Sequence, residues 1–280
     1  MRNLRKSYRK LYYLLSTWLR TEVEQEPSDE RIDIIIPVVE KDLLILPLCL
    51  EAIKRFVTNK IQSIYIVSPD NEAIKKFCRE YEIVFIDEDL VLGYGPREIH
   101  YILKDGRNRS GWIFQQLLKL SGNIGTQPYF LVIDADHILI RPHTFLASNG
   151  RTVFYRSREF HAPYYRSIEN LLGKKDISVL SYVAHKMLFS RERLCELKEK
   201  ILEYTGKEWD RAIRDILDVN EVSCFSEYEM YGNFFPYMHS EYLLFRNKSL
   251  NYQELASLDE LVAKYAQRYR AVTFPDYKNG

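Results

Sequence analysis

The 280-residue sequence predicts an α/β protein with a mostly parallel central sheet flanked by helices. Its first half contains near-continuous apolar runs, such as "IDIIIPVV" at 32–39, that are typical of strands covered on both faces. Helical patterns separate these runs, and strands that alternate with helices indicate βαβ units. A further apolar run, "PYFLVIDADHILIRP" at 128–142, continues the series.

The elements of the first half follow one another in a regular order. Strands are predicted at 32–39, 63–69 and 83–89, with helices in "LPLCLEAIKRFV" and "NEAIKKFCREY" between them. A turn in "GYGPRE" and a loop ending at "KDGRNRSG" come next. They lead to a predicted helix at 111–120 and to the fourth strand at 129–133.

The second half is less regular, with strands predicted in "TVFYRSR", "SYVAHKMLFS" and "YLLFRN". Helices are predicted in "RERLCELKEKILEYTG", which ends at Gly206, in "KEWDRAIRDILDV" and in "LDELVAKYAQRY". We therefore expect an N-terminal amphipathic helix at 1–24, a main domain at 32–245 and a C-terminal helical extension at 246–280.

Composition narrows the class of protein and its compartment. The formal net charge is +1, which gives no electrostatic reason to expect nucleic acid as a partner. The four cysteines are scattered without metal-ligand spacing, as expected of reduced thiols in a cytosolic protein. No apolar run approaches the ~18 residues that a transmembrane helix needs. We therefore expect a cytoplasmic protein.

The first twenty residues are basic and amphipathic. They contain six Lys or Arg residues and no acid, and apolar residues recur at helical spacing: Leu4, Tyr8, Leu11, Leu15 and Trp18. Such a helix can lie on the inner face of an anionic cell membrane as a peripheral contact. The alternative is a helix that packs on the main domain and leaves its basic residues in water.

The fourth strand carries the first candidate for chemistry. Asp134 and Asp136 lie two residues apart, so they would present both carboxylates on one face of an extended chain. Two unpaired like charges are costly to bury, and a divalent cation removes the cost. Open α/β sheets bind ligands at the carboxyl ends of their strands. Mg²⁺ or Mn²⁺ favours one or two carboxylates together with ligand phosphates.

Four motifs in a fixed order carry a family resemblance: "GWIFQQLLKL", "DADHILIRP", "VAHKMLF" and "SEYEMYGN". Together with the strands at 32–39 and 63–69, they resemble a nucleotide-sugar-dependent glycosyltransferase of the Rossmann-related GT-A fold. More narrowly, they resemble a bacterial glycosyltransferase-like family of poorly defined specificity. The resemblance spans roughly residues 32 to 245, which would then form a GT-A-like catalytic domain.

The resemblance implies a metal-dependent glycosyltransferase with Mn²⁺ or Mg²⁺ as cofactor. It would move a sugar from a nucleotide-diphosphate donor to a hydroxyl of a saccharide or glycolipid acceptor. Bacterial surface polysaccharide or glycolipid synthesis would be its setting. The DxD of this fold binds the metal and the sugar nucleotide, which assigns Asp134 to both and Asp136 to the metal.

The helix at 111–120 supplies further candidates for the donor site. Ser110 can cap this helix, and its polar face gathers Trp112, Gln115, Gln116 and Lys119, with Arg109 close behind. Cations and amides suit a diphosphate-sugar, although a solvated helix face is the alternative. The remaining donor-binding candidates are Pro37 and Asp70, at the ends of the first two strands, and His185.

Two acids in "SEYE" are the catalytic candidates. Ser226 and Glu229 form a capping-box pattern, which gives Glu229 a structural reading as well as a catalytic one. Glu227 has no structural task in the sequence pattern, so we predict it as the general base. The family resemblance implies a late histidine as a further metal ligand, for which His239 is the candidate.

Two other histidines enter the prediction. His185 would point from a strand towards donor or acceptor, although a lone histidine on an apolar strand is more often a core residue. By alternation, His137 would face away from the two aspartates.

Two other functions stay open from the sequence. A phosphohydrolase with a nucleophilic Asp in its DxD would want that motif on the first strand, with Thr or Val where Ile138 stands. A non-catalytic sugar-nucleotide-binding protein on the same fold would bind the donor without turnover. A sugar nucleotidyltransferase is disfavoured because no Gly-rich loop follows the first strand.

Overall fold

The computed structural model describes residues 8, 11, 12, 15, 23–175, 177–235 and 242–275. Along the chain, strand β1 (Ile32–Pro37) is followed by a short 3₁₀ helix and then by helix α1 (Leu46–Phe56). The elements that follow up to the fourth strand are β2 (Ile61–Ser68), α2 (Glu72–Glu80), β3 (Val84–Asp87), α3 (Glu88–Leu92), α4 (Ser110–Ser121) and β4 (Tyr129–Ile133).

The second half adds shorter strands and more helices. They are β5 (His137–Leu139), β6 (Thr152–Arg156), α5 (Ala162–Leu172), β7 (Lys186–Ser190), α6 (Arg191–Thr205), α7 (Trp209–Asp215), α8 (Glu227–Phe234), β8 (Tyr242–Arg246), β9 (Ser249–Asn251), α9 (Leu258–Tyr265) and β10 (Ala271–Thr273).

The central sheet has the strand order β3-β2-β1-β4-β7. Its first four strands are parallel, and β7 runs antiparallel to β4. This confirms the predicted α/β architecture with a mostly parallel, helix-flanked sheet.

Strand β1 shows why the sheet forms at this place in the sequence. It is buried along its whole length, and alternate side chains enter two apolar layers. Ile32, Ile34 and Ile36 pack in the layer that contains α1 and α9, whereas Ile35 packs in the layer that contains α4 and α8. Because both faces are covered, the apolar run needs no polar alternation.

Several predicted strands prove shorter than expected, and the local structure explains two of them. The strand predicted at 83–89 ends at Asp87, whose side chain accepts a hydrogen bond from the Asp89 amide and caps α3. In "SYVAHKMLFS" only Lys186–Ser190 is a strand, because His185 has a positive φ of 59° that interrupts extended structure.

The C-terminal segment contributes more than the predicted helix. Strand β10 pairs antiparallel with β5 and parallel with β9, so residues after 246 border the DxD segment directly. The sequence prediction contains neither β9 nor β10, each of which has three residues.

The predicted N-terminal helix at 1–24 lies largely outside the described residues. Tyr8, Leu11, Tyr12 and Leu15 are described, and all four are helical. No helix in the described parts of the chain is both long enough and apolar enough to span a membrane.

Candidate functional site

The DxD lies at the carboxyl end of β4, beside the central strand β1. Asp134 follows the last strand residue, and its amide donates to the carbonyl of His185 at 3.0 Å. Its own carbonyl accepts from the His137 amide at 3.0 Å, which closes a tight turn around Asp136. Strand β4 and the residue before β7 therefore bring Asp134 and His185 together.

Asp134, Asp136 and His185 form the candidate metal cluster. Each offers a ligand atom, all of these atoms lie within 4.8 Å of one another, and all three side chains are partly exposed. Burial, and then the charge of Asp134, raises the pKa of Asp136 to about 6. Two carboxylates and an imidazole are a suitable donor set for a divalent cation, whose charge would relieve this repulsion. The three residues could hold a metal ion.

A buried lysine stabilises the first aspartate of the motif. Lys119 in α4 is only 3% exposed, and its Nζ lies 2.8 Å from Asp134 Oδ1. Tyr228 donates to the same oxygen at 3.2 Å, and His185 Nδ1 lies 3.1 Å from the other. Burial acts to raise the pKa of Asp134, but Lys119 and His185 outweigh it and hold this pKa below its usual value.

Glu227 is the second acid on Lys119, and its surroundings differ from those expected. Its side chain is 1% exposed, and an oxygen lies 2.9 Å from Lys119 Nζ. The side-chain nitrogen of Gln116 also donates to this carboxylate. The expectation that Glu227 has no structural task is therefore wrong, because Glu227 in α8 forms an ion pair with the buried Lys119 of α4. Burial raises the pKa of Glu227, against the opposing effect of Lys119.

Glu229 is held by different partners. Ser226 is the N-cap of α8, and its hydroxyl accepts from the Glu229 amide at 3.3 Å, as the sequence pattern predicts. The Glu229 carboxylate accepts from Tyr165 at 3.0 Å and from the Asn233 side chain at 2.8 Å. Glu229 thus links α8 to α5, in addition to its place in the first helical turn.

The polar face of α4 turns inwards at one end. Gln116 and Lys119 are buried, whereas Trp112 and Gln115 are half-buried. Arg109 stacks on Trp112 at 4.6 Å, at the other end of the helix. At about 1.5 Å per residue, this end lies about 15 Å along the helix from Lys119.

The predicted cap of α4 is different from the one observed. Arg109 occupies the N-cap position without a side-chain cap bond, so the prediction that Ser110 caps this helix is wrong. Ser110 is the first helical residue instead, and its hydroxyl donates to the carbonyl of Ile99 at 2.6 Å. This bond ties the helix to the loop that precedes it.

The other predicted donor residues lie at the ends of the neighbouring parallel strands. Pro37 is the last residue of β1, where it pairs with Val67. Asp70 follows β2 and forms an ion pair with Lys75. Because β1, β2 and β4 are parallel, both residues share the sheet edge of the DxD. His239 lies outside the described residues.

Two contributors to the site were missed at the sequence level. Tyr228, which contacts Asp134, stands between the two acids of "SEYE", and Lys186, whose Nζ lies 2.9 Å from His137 Nε2, follows His185. The position of Lys186 on a buried strand was the available signal, because a lysine is almost never fully buried without a partner.

Fold and site together define an α/β protein with a candidate metal cluster at the carboxyl end of a parallel strand. The chain belongs to the Family of unknown function (DUF6492), whose sequence profile matches residues 29–269. No curated protein matches the sequence.

Two solved structures illustrate what the chain is similar to. One is mouse xyloside xylosyltransferase 1 in its apo form, at 11% identity and a TM-score of 0.46, covering 88% of this chain and 98% of that chain. The other is the galactosyltransferase LgtC in complex with donor and acceptor sugar analogs, at 11% identity and a TM-score of 0.45, covering 88% of this chain and 87% of that chain.

Proposed function

We propose that this protein is a metal-dependent glycosyltransferase that moves a sugar from a nucleotide-diphosphate donor to an acceptor hydroxyl. The observation that carries the proposal is the cluster of Asp134, Asp136 and His185 at the carboxyl end of β4. Ligands of open α/β sheets bind at that edge, and this cluster brings oxygen and nitrogen donors to it.

In this proposal, Asp134, Asp136 and His185 hold Mn²⁺ or Mg²⁺. The metal would neutralise the donor diphosphate and act as a Lewis acid when that group departs. His239, the metal ligand implied by the family resemblance, stays a prediction. Lys119 keeps Asp134 ionised, because an ammonium 2.8 Å away favours the carboxylate form.

The donor itself would lie along the edge formed by the ends of β1, β2 and β4. Pro37 and Asp70 would flank the nucleoside. Their position at the carboxyl ends of β1 and β2 supports this assignment. Arg109, Trp112 and Gln115 extend the donor site along α4, with Arg109 stacked on the indole ring.

Glu227 contributes to this site through Lys119. A carboxylate that is 1% exposed and ion-paired is not placed to contact an acceptor from solvent. The role of Glu227 as the general base therefore stays a prediction, as does a catalytic role for Glu229.

The burial of Glu227 favours one second candidate function, a non-catalytic sugar-nucleotide-binding protein. A DxD phosphohydrolase is disfavoured, because the motif follows β4 and its first Asp is ion-paired with Lys119.

The acceptor and the setting extend the proposal. We propose a saccharide or glycolipid acceptor in bacterial surface polysaccharide or glycolipid synthesis, and a cytoplasmic protein that touches the inner face of the membrane through residues 1–20. The basic composition of that segment supports the contact, as does the exposure of its described apolar residues, Tyr8, Leu11 and Leu15. Residues 32–245 would be the catalytic domain, with 1–24 as the membrane helix and 246–280 as the extension.

The proposal is tested by thermal shift with a panel of nucleoside diphosphates, with and without Mn²⁺. A ligand at 100 times its dissociation constant adds about 2.7 kcal/mol to the free energy of unfolding. We expect stabilisation by at least one nucleotide that requires Mn²⁺ and is lost in Asp136→Asn. Stabilisation that is equal in EDTA, or equal in the variant, would contradict the proposed metal site.

A further inference from the structure

A buried polar network lies directly beneath the imidazole of His185. The rings of His137 and His185 are stacked, with centroids 5.5 Å apart and an interplanar angle of 24°. His137 is fully buried. Its ring therefore forms the inner support on which the partly exposed His185 ring rests.

Both nitrogens of His137 have fixed partners. Nδ1 lies 2.8 Å from Thr273 Oγ1, and Nε2 lies 2.9 Å from Lys186 Nζ. A lysine ammonium has no acceptor, so with Lys186 in that form Nε2 accepts and Nδ1 carries the proton that is donated to Thr273. The two bonds set the tautomer and hold the ring plane of His137.

The partners of His137 are themselves anchored in the C-terminal segment. Lys186 Nζ donates to Asn247 Oδ1 at 2.5 Å, and Thr273 Oγ1 lies 2.8 Å from Ser249 Oγ. Thr273 and His137 face each other in the antiparallel pairing of β10 with β5. Residues 247–273 thus reach the DxD segment through side chains as well as through strand pairing.

His185 needs such support because its backbone does not hold it in a regular element. It has a φ of 59°, a conformation that is strained for a non-glycine residue and that clusters at functional sites. Its carbonyl is fixed by the Asp134 amide, and Nδ1 contacts Asp134 Oδ2 at 3.1 Å. The stacked ring of His137 restricts the imidazole from its other side.

We propose that the network of His137, Lys186, Asn247 and Thr273 positions His185 as the third metal ligand. This role rests on the proposed metal-dependent function and deepens it, because it assigns a part of the site to the C-terminal segment. His137 and its partners are positioning residues that act through His185. Outer-shell partners of metal ligands typically change metal affinity by about 10–100-fold when they are replaced.

The test is titration of Mn²⁺ alone into the full chain, followed by electron paramagnetic resonance of the unbound ion. Thr273→Val removes the hydroxyl that fixes His137 Nδ1 and should weaken Mn²⁺ binding roughly tenfold. Thr273→Ser restores the hydroxyl and should restore the affinity. Thr144→Val is the matched control, because Thr144 is also a buried threonine, and its hydroxyl bonds the Gln25 carbonyl and Thr58 rather than His137.

A second variant keeps the test valid if Thr273→Val does not fold. Asn247→Leu removes the acceptor of Lys186 and should weaken Mn²⁺ binding in the same direction. If wild type binds Mn²⁺ and both network variants bind it as tightly as Thr144→Val does, the positioning role is overturned and the metal site stands. If wild type itself does not bind Mn²⁺, the proposed metal-dependent function fails and the inference fails with it.

Discussion

Lys119 Nζ lies 2.9 Å from a carboxylate oxygen of Glu227, in an ion pair that is buried on both sides. The same ammonium contacts Asp134 at 2.8 Å, so one cation serves two acids. Burial acts to lower the pKa of Lys119, but the two carboxylates raise it well above its usual value. Lys119 therefore connects the first turn of α8 to the end of β4, and a substitution of Lys119 or Glu227 should alter the electrostatic environment of Asp134.

The first prediction is that Glu227→Gln destabilises the fold. Both carboxylate oxygens of Glu227 face donors, Lys119 and Gln116, and the amide would turn a donor of its own towards one of them, so we expect a loss of about 1–3 kcal/mol in the free energy of unfolding. Glu203→Gln is the control, since Glu203 forms an exposed ion pair with Lys200 and should change stability by about 0.5 kcal/mol or less. Chemical denaturation of each variant gives the comparison.

The same variant decides the sequence-derived role of Glu227. Unchanged stability together with a loss of turnover of about 10²–10⁴-fold would restore it as a general base, because that is the usual contribution of such a group. Glu229→Gln is measured alongside, and we expect its loss to act on stability through Tyr165 and Asn233.

The second prediction is that the two aspartates of the motif have opposite effects on the metal-free chain. The pKa of Asp136 is raised to about 6, so its charged form destabilises the fold at pH 8 and Asp136→Asn should raise Tm in EDTA. The pKa of Asp134 is lowered, so its charged form is stabilising and Asp134→Asn should lower Tm. Shifts of the same sign would show that the two environments have been assigned wrongly.

The third prediction concerns Glu88, whose pKa is raised to about 7 by burial and then by the charges of Asp89 and Asp87. In the unfolded chain this carboxyl titrates near its ordinary value of 4.5. Between these values the folded chain holds a proton that the unfolded chain has released, so stability falls as pH rises through the window. Glu88→Gln should therefore raise Tm at pH 8 and leave it nearly unchanged at pH 4. An equal shift at both pH values would rule out the titration of Glu88 as its cause.

The fourth prediction concerns residues 1–20. If they form the proposed membrane contact, their deletion should release the protein from vesicles that contain anionic lipid, with Tm unchanged. Binding should also weaken as salt is added, because surface charges are screened. Cosedimentation with anionic and neutral vesicles measures this, and a large drop in Tm on deletion would instead place the segment in the core.

The sequence was sufficient for the centre of the sheet because β1 and β4 are almost entirely buried and read as apolar runs. It also located Asp134 and Asp136, since paired carboxylates at the end of such a run are conspicuous. The short strands β9 and β10 could not be predicted, because three residues are too few to show the alternation of apolar and polar residues that marks a strand.

The role of Glu227 could not be predicted for a different reason. Its partner Lys119 lies on another helix, far away in the sequence, and only the packing of α8 against α4 brings the two together. The support of His185 by Thr273 depends likewise on the pairing of β10 with β5. A local pattern such as the capping box predicted the N-cap at Ser226, but it carries no information on tertiary partners.

The most direct test of the central claim is the release of nucleoside diphosphate from a panel of nucleotide-sugars with saccharide and glycolipid acceptors. Wild type, Asp136→Asn and wild type in EDTA are compared at equal protein concentration. We predict release with at least one donor in the presence of Mn²⁺, and loss of that release both in EDTA and in the variant. Release that persists in EDTA or in Asp136→Asn would contradict a metal-dependent glycosyltransferase. If the protein binds nucleotide in the presence of Mn²⁺ but releases nucleoside diphosphate from no donor, the non-catalytic binding protein is favoured.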